Sequence, residues 1–486
     1  MGENLTLFAP EFNRSIRVEA RPERLTAESG ALLLREVMDR LGMSAWFTRR
    51  LGDTRNPDLI THPLSELLRT ELLLLGQGWR DQDDADTLRN DPMFRLSVSE
   101  RAGVGALETR PLEDGRPLSK NPPVPDGLAS QPTLSRLVRM LSTDDNRAVL
   151  RAGLLEAVAR RVCAQRRGRR LRYVTIDVVS LPIEVHGHQA GSAYNGHYHA
   201  RIFHPLVASI AETGDLIDGK LREGQAHTAE GGTEFIVDLL DQVERKLCQV
   251  AAVRIDAGFP EENLLSALER RKTAYVARVK NNQVLDKLAQ PFLLRPVGRP
   301  PAEPRMWFHE LRYGAVSWSC DRRMVLVVQE KPGELFLHYF WLITNWSVEQ
   351  MSGEELLERY RQRGTAEGHM GELMDVLDPA LSSSPRQKRH YGGRPVSRHF
   401  PAGDSFAQNE VLLLLNMLAY GLVHGVRLVV EWATKEGWSL RRVRERVLRI
   451  AGRVLVHGRR ATLVISQEAS VLWRALWPRL AALHWA

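Results

Sequence analysis

Three acidic residues stand where carboxylates can hold metal. Asp177 follows the apolar run Tyr173-Val174-Thr175-Ile176, Asp256 follows Val253-Arg254-Ile255, and Glu367 lies on a helical stretch that includes Tyr360. The first two runs read as buried strands. Two strand-end aspartates and one helix-borne glutamate, brought together, make an oxygen-lined pocket for a pair of hard divalent cations, and such a pocket performs phosphoryl transfer. Tyr360, Arg363 and Glu367 fall at i, i+3 and i+7, one face of an α-helix. That face offers a carboxylate for metal, a guanidinium for phosphate and a phenol to pack or hydrogen-bond against nucleic acid. Each residue also has an ordinary reading. A strand-terminal Asp is often a turn or cap residue, and a Tyr/Arg/Glu face is often a solvated surface. Glu372 and Asp375, on the same helix, are alternative third ligands.

These residues need elements to position them. Apolar periodicity predicts helices over Ala31–Leu41, Leu64–Leu75, Thr133–Leu141 and Asp144–Gln165, with a Pro/Gly-rich connection over 111–132. From Arg172 the pattern becomes β-β-β-α-β-α-β. Strands are expected at Leu171–Val179, His199–Ile210, Leu216–Arg222, Ala251–Asp256 and Ala274–Val279, and helices at Thr228–Val250 and Pro260–Arg271. This is an α/β pattern with a mixed sheet. Asp256 and Glu367 are 111 residues apart, too far for a strand, a turn and a helix. The strand-like runs Arg305–Tyr313, Arg323–Gln329 and His338–Thr344 fill the gap. A helix capped by Ser352, with Glu354 and Glu355 in its first turn, runs towards Leu377. Five regions follow: a mainly helical 1–165, suited to DNA binding; 170–280, the first part of a catalytic core; a β-rich insertion, 281–335; 336–378, the end of the core with the Glu-bearing helix; and 379–486, a basic loop and helical tail.

The 486 residues carry a net charge of +8. Residues 386–460 hold 15 Lys and Arg against 5 Asp and Glu, a net of +10 that exceeds the excess of the whole chain. Arg160 to Arg172 adds seven arginines and no acid. Arg is suited to bidentate phosphate contact, so the balance points to a polyanionic partner. Cys163, Cys248 and Cys320 are far apart and odd in number, which argues against a disulfide framework and fits a cytoplasmic protein. The first fifteen residues show no basic segment followed by an apolar core, so no signal peptide is expected. The most apolar stretch, Val411–Val423, contains Asn416 and reads as a core helix too short to span a membrane. His186, His188, His197, His199 and His204 form i, i+2 pairs, but the absence of nearby cysteines and of an H-E-x-x-H helix disfavours zinc.

Tyr360, Arg363 and Glu367 reproduce a Y-x-x-R-x-x-x-E signature, and in this the chain resembles the DDE transposases of bacterial insertion sequences. Further segments resemble the insertion sequence 1380 family: Trp79 to Pro92, Leu128 to Arg136, Gly187-His188-Gln189, Tyr194-Asn195-Gly196-His197-Tyr198, His204-Pro205-Leu206 and Leu221-Arg222-Glu223-Gly224-Gln225. With the Asp256 strand they occur in order and cover most of 75–430. The resemblance implies a ribonuclease H-like mixed-sheet core with a β-rich insertion, flanked by mainly helical N- and C-terminal regions. It implies that Asp177, Asp256 and Glu367 are catalytic and hold two Mg²⁺ ions, with Mn²⁺ able to substitute. Cleavage at the element's ends and strand transfer into target DNA would follow, on double-stranded DNA bearing terminal inverted repeats, by a homodimer on paired ends. Tyr360, Arg363, Asn195, His197, Arg386, Lys388 and Arg389 are the expected DNA contacts. One departure stands out: where the signature often continues with Lys, this chain has Met374. The alternative is therefore an inactive or repurposed protein that binds transposon ends. A hydrolytic nuclease without strand transfer and a zinc hydrolase are further rivals.

Overall fold

The computed structural model describes residues 3–4, 11–13, 15–16, 19–20, 22–107, 127–165, 171–185, 187, 189–299, 301–382 and 402–483. The chain divides into two compact units. One joins both ends of the chain, Met1–Thr48 with Asp53–Leu137 and Gly425–Ala482; the other contains Val138–His424.

The larger unit is built on an eight-stranded sheet. Its elements are β1 (Tyr173–Ser180), β2 (Leu206–Ile210), β3 (Leu216–Lys220), α1 (Gly232–Lys246), β4 (Gln249–Ile255), α2 (Glu262–Arg271), β5 (Ala274–Val279), β6 (Arg305–Tyr313), β7 (Arg322–Glu330), β8 (His338–Thr344), α3 (Gly353–Arg361) and α4 (Arg363–Glu372). The strand order is β6-β7-β8-β5-β4-β1-β2-β3. β1, β4 and β5 run parallel, and all the remaining neighbours are antiparallel. Strand alternation sorts the side chains onto two faces. Val174, Ile176, Val178, Val253 and Ile255 point to one, where they pack with Phe235 and Leu239 of α1 and Leu264 and Leu268 of α2. Val276, Val325, Val327 and Leu342 point to the other, against Leu356 and Leu357 of α3. Asp177, Arg254 and Asp256 belong to this second face.

β6 and β7 do not stand apart as an inserted domain. They continue the main sheet beyond β8, and Met324, Leu326 and Val328 of β7 share the core of β1 and β4. An apolar strand such as β7 is stable only when both of its edges are paired and both faces covered, and the sheet supplies that. The strand expected over His199–Ile210 divides at His204-Pro205 into Ala200–Phe203 and β2, because Pro205 has no N–H for a ladder. Ala200–Phe203 joins Ile183–Glu184 and Ala193–Asn195 in a separate three-stranded sheet. The helix expected to run from Ser352 towards Leu377 has a joint at Gln362 between α3 and α4 and ends in a π-turn over Leu373–Leu377. Asp144–Gln165 is one helix of the larger unit, so the unit boundary falls earlier than residue 165.

In the smaller unit, the first and last parts of the chain share a core. Leu25–Thr26 pairs with Gly452–His457, which forms a hairpin with Arg460–Ile465. Val454 packs against Met93 and Leu107. Gly30 lies so close to Leu448 that a Cβ would meet its Cα at 2.2 Å, and its N–H donates to Leu448 O at 2.8 Å. Here glycine is required by close approach, not by its φ of −71°.

The apolar stretch near Val411 belongs to a 33-residue helix, Ala402–Thr434, longer than expected. By length and composition it could cross a membrane, but 89% of its most apolar window is buried, as in a core helix.

Candidate active site

The C-terminal end of β4 and the helix pair α3–α4 bring Asp256, Arg363 and Glu367 together, while Asp177 lies within β1. Asp256 follows β4 immediately. Its Oδ1 accepts from Gly258 N–H at 2.8 Å, a turn contact that fixes the side chain. Ser352 caps α3 with a complete capping box: its hydroxyl accepts from Glu355 N–H, and the Glu355 carboxylate reaches back to Ser352 N–H. This anchors the start of the helix pair that carries Tyr360, Arg363 and Glu367.

Arg363 joins two of the three carboxylates. Its guanidinium pairs with Glu367 one turn along α4 and lies 3.6 Å from Asp256 Oδ2. The Asp256 and Glu367 side chains are 31% and 55% exposed, open to a ligand. Tyr360 is half-buried and packs against the α3 core, and that burial raises its phenol above its usual range.

Asp177 is placed differently. It is fully buried, and both of its oxygens are taken by Arg254: Nε donates to Oδ1 at 2.7 Å and Nη2 to Oδ2 at 2.6 Å. Arg254 Nη1 donates to Arg359 O and Gln362 Oε1 at the α3–α4 joint. Arg359 in turn donates to Thr175 Oγ1 on β1 at 2.7 Å. Burial pushes the Asp177 carboxyl up while Arg254 pulls it down. Geometry favours the ion pair, because a bidentate guanidinium satisfies both oxygens. Removing one partner of such a pair costs roughly 3–5 kcal/mol.

Two divalent cations do not fit these carboxylates as they are placed. Arg254 fills both oxygens of Asp177, and Arg363 stands as the cation between Asp256 and Glu367. Among the described residues, no three His, Cys, Asp or Glu side chains are grouped to hold a metal. Of the three carboxylates, Asp256 and Glu367 have the access that a cation such as Mg²⁺ requires.

Asn195 and His197 belong to the loop side of the small sheet. Asn195 Oδ1 accepts from His197 N–H at 3.0 Å, and Asn195 Nδ2 donates to Gly224 O at 3.4 Å. His197 is exposed and meets Tyr198 edge to face at 4.8 Å. Tyr198 was not singled out from sequence, although it lies within the Tyr194–Tyr198 motif. Its phenol is raised first by burial and then by the charge of Asp256. His204, 6.0 Å from Tyr198 between ring centres, is buried. Its Nδ1 bonds to Ala226 O at 3.0 Å, and burial lowers its pKa. Arg222 holds this corner together, donating to His204 O, His227 O, Thr228 O, Glu230 O and Ser180 Oγ at the end of β1. Arg386, Lys388, Arg389, His186 and His188 lie outside the described residues. Met374 sits half-buried in the π-turn after α4.

The mixed sheet and this carboxylate–arginine corner define an α/β protein with a polar centre at its strand ends. Residues 8–385 match the family model "Transposase DDE domain group 1", and the chain belongs to that family. No curated protein matches the chain. Among solved structures it is similar to a piggyBac transposase, seen by cryo-EM in a synaptic complex with hairpin DNA. The likeness has 12% identity and a TM-score of 0.38, over 94% of this chain and 81% of that one.

Proposed function

We propose that the chain is the DNA transposase of an insertion sequence, of the kind the insertion sequence 1380 family represents. It would cut the phosphodiester at the element's ends and join the freed 3′-OH to target DNA. The observation that carries this reading is the shared guanidinium: Arg363 holds Asp256, from a strand end, and Glu367, from a helix 111 residues later. A DNA phosphate entering here competes with the two carboxylates for Arg363, whose guanidinium can grip it through two N–H donors. Its departure from the carboxylates would leave two adjacent negative charges in need of a cation. Tyr360, Asn195, His197 and Tyr198 are the candidate nucleic-acid contacts, and the Asp256 charge acts on the phenols of Tyr360 and Tyr198. The ribonuclease H-like reading is supported by the antiparallel meander β1-β2-β3 followed by β4 parallel to β1, with the glutamate helix after the strands. The partner is duplex DNA, at terminal repeats and target, with two copies acting on paired ends.

A second reading, binding of element ends without cleavage, is favoured by the closed Asp177–Arg254 pair and by Met374. One experiment separates the two. Supercoiled plasmid carrying the flanking ends is incubated with the full chain and Mn²⁺, and nicked, cut and joined products are counted. The transposase reading expects joined products, reduced about 100-fold or more in Asp256→Ala and Glu367→Ala. Equal products from parent and Asp256→Ala would remove Asp256 from the reaction. Specific binding with no product leaves the second reading.

A further inference from the structure

By continuation of the β1–β4 register, the residue of β1 level with Asp256 is Val179, not Asp177. The parallel register pairs Val253 with Ile176 and Arg254 with Asp177. The ladder ends at that pair and β4 at Ile255; continued two residues further, the same register projects Asp256 level with Val179, and the period of two puts 177, 179 and 254 on one face with 256 in phase. On the other side of β4, the ladder ends with Ile255 paired to Ala277, and its continuation projects Arg278 level with Asp256. The row across the strand ends is therefore Val179, Asp256, Arg278. Asp177 and Arg254 form the row below it, about 6.6 Å deeper in strand rise. Two oxygens on one Mg²⁺ are separated by at most about 4 Å, twice the metal–oxygen distance. Asp177 is thus a row too deep to share a cation with Asp256, and its oxygens are already filled.

We propose that Asp177 is a positioning residue and that Val179 occupies the place of a third cation-binding carboxylate, leaving Asp256 and Glu367 as the two this chain offers. Asp177 fixes Arg254, and Arg254 holds the α3–α4 joint through Arg359 O and Gln362, setting the height of Arg363 and Glu367 over β4. This rests on the reading of the corner as a phosphoryl-transfer centre and deepens it: the chain's grip on a divalent cation is weak because one ligand position is apolar.

The test is Mn²⁺ binding to the full-length protein without DNA, followed by electron paramagnetic resonance of free Mn²⁺, with circular dichroism as the check of folding. Val179→Asp is expected to tighten binding at least about tenfold, a gain of about 1.4 kcal/mol. Asp256→Asn is expected to lose it. The double variant D177L/R254M replaces the buried pair by apolar residues of similar bulk; it removes the Arg254 contacts at the α3–α4 joint and is expected to weaken binding by roughly threefold at most, without losing it. Loss of binding in folded D177L/R254M, or no gain in folded V179D, overturns the proposal. If V179D does not fold, the double variant decides alone; if that variant does not fold, V179D decides. The readout involves no DNA, so failure to cleave any plasmid would remove the transposase reading and leave the cation count standing.

Discussion

Glu71 is a carboxylic acid placed where a carboxylate is costly. It is 3% exposed, and burial pushes its pKa up to about 7, opposed by the Gln82 amide that donates to Oε1 at 3.2 Å. The unfolded chain releases this proton near 4.5, while the folded chain keeps it to about 7. Stability present below pH 4.5 is therefore lost as pH rises through 7, by roughly 3 kcal/mol in all. Glu71→Gln should melt higher than the parent at pH 8 and close to it at pH 5; parallel melting curves at both pH values would contradict the assignment. At the same scale, the Arg363–Glu367 pair was legible because one helical turn is fixed by local geometry, whereas Tyr360 lies on α3, across the joint at Gln362. The Asp177–Arg254 pair was not, because it joins residues 77 apart and depends on the register of two strands. Reading the two aspartates as equivalent strand ends hid the fact that one lies a row below the other.

At the scale of elements, the helix pair α3–α4 depends on its first turn. Ser352→Ala removes the capping box and should destabilise the start of α3 by about 1 kcal/mol. Amide exchange over 353–361 should quicken while that of β4 stays unchanged; uniform quickening would mean that the cap supports the whole unit. Apolar runs located most strands to within two residues. Ala274–Val279, Arg305–Tyr313 and His338–Thr344 agree end to end with the expected spans. The partnership of β6 and β7 was not legible, because periodicity shows which face is apolar but not which sheet will cover it. The division at His204-Pro205 could have been read from Pro205, whose missing N–H ends a ladder in any sheet.

At the scale of the molecule, the first and last segments of the chain complete one unit. Leu25–Thr26 depends on the hairpin that starts at Gly452, and Gly30 on the turn at Leu448. A chain shortened to end before Ser439 should lose exchange protection across 25–107 and retain it in the β1–β5 sheet; full protection of 25–107 would show that the N-terminal helices fold alone. Composition could not reveal this closure, since neither segment carries a motif that names its partner. The closure has a consequence for synthesis. Leu107 is polymerised 345 residues before Gly452, so at about 5–20 residues per second the early helices wait roughly 20–70 s on the ribosome for their missing strands. A message cut short before the codon for Gly452 thus yields a protein whose first unit never closes, and only copies translated past the Gly452–Ile465 hairpin acquire both halves of the fold.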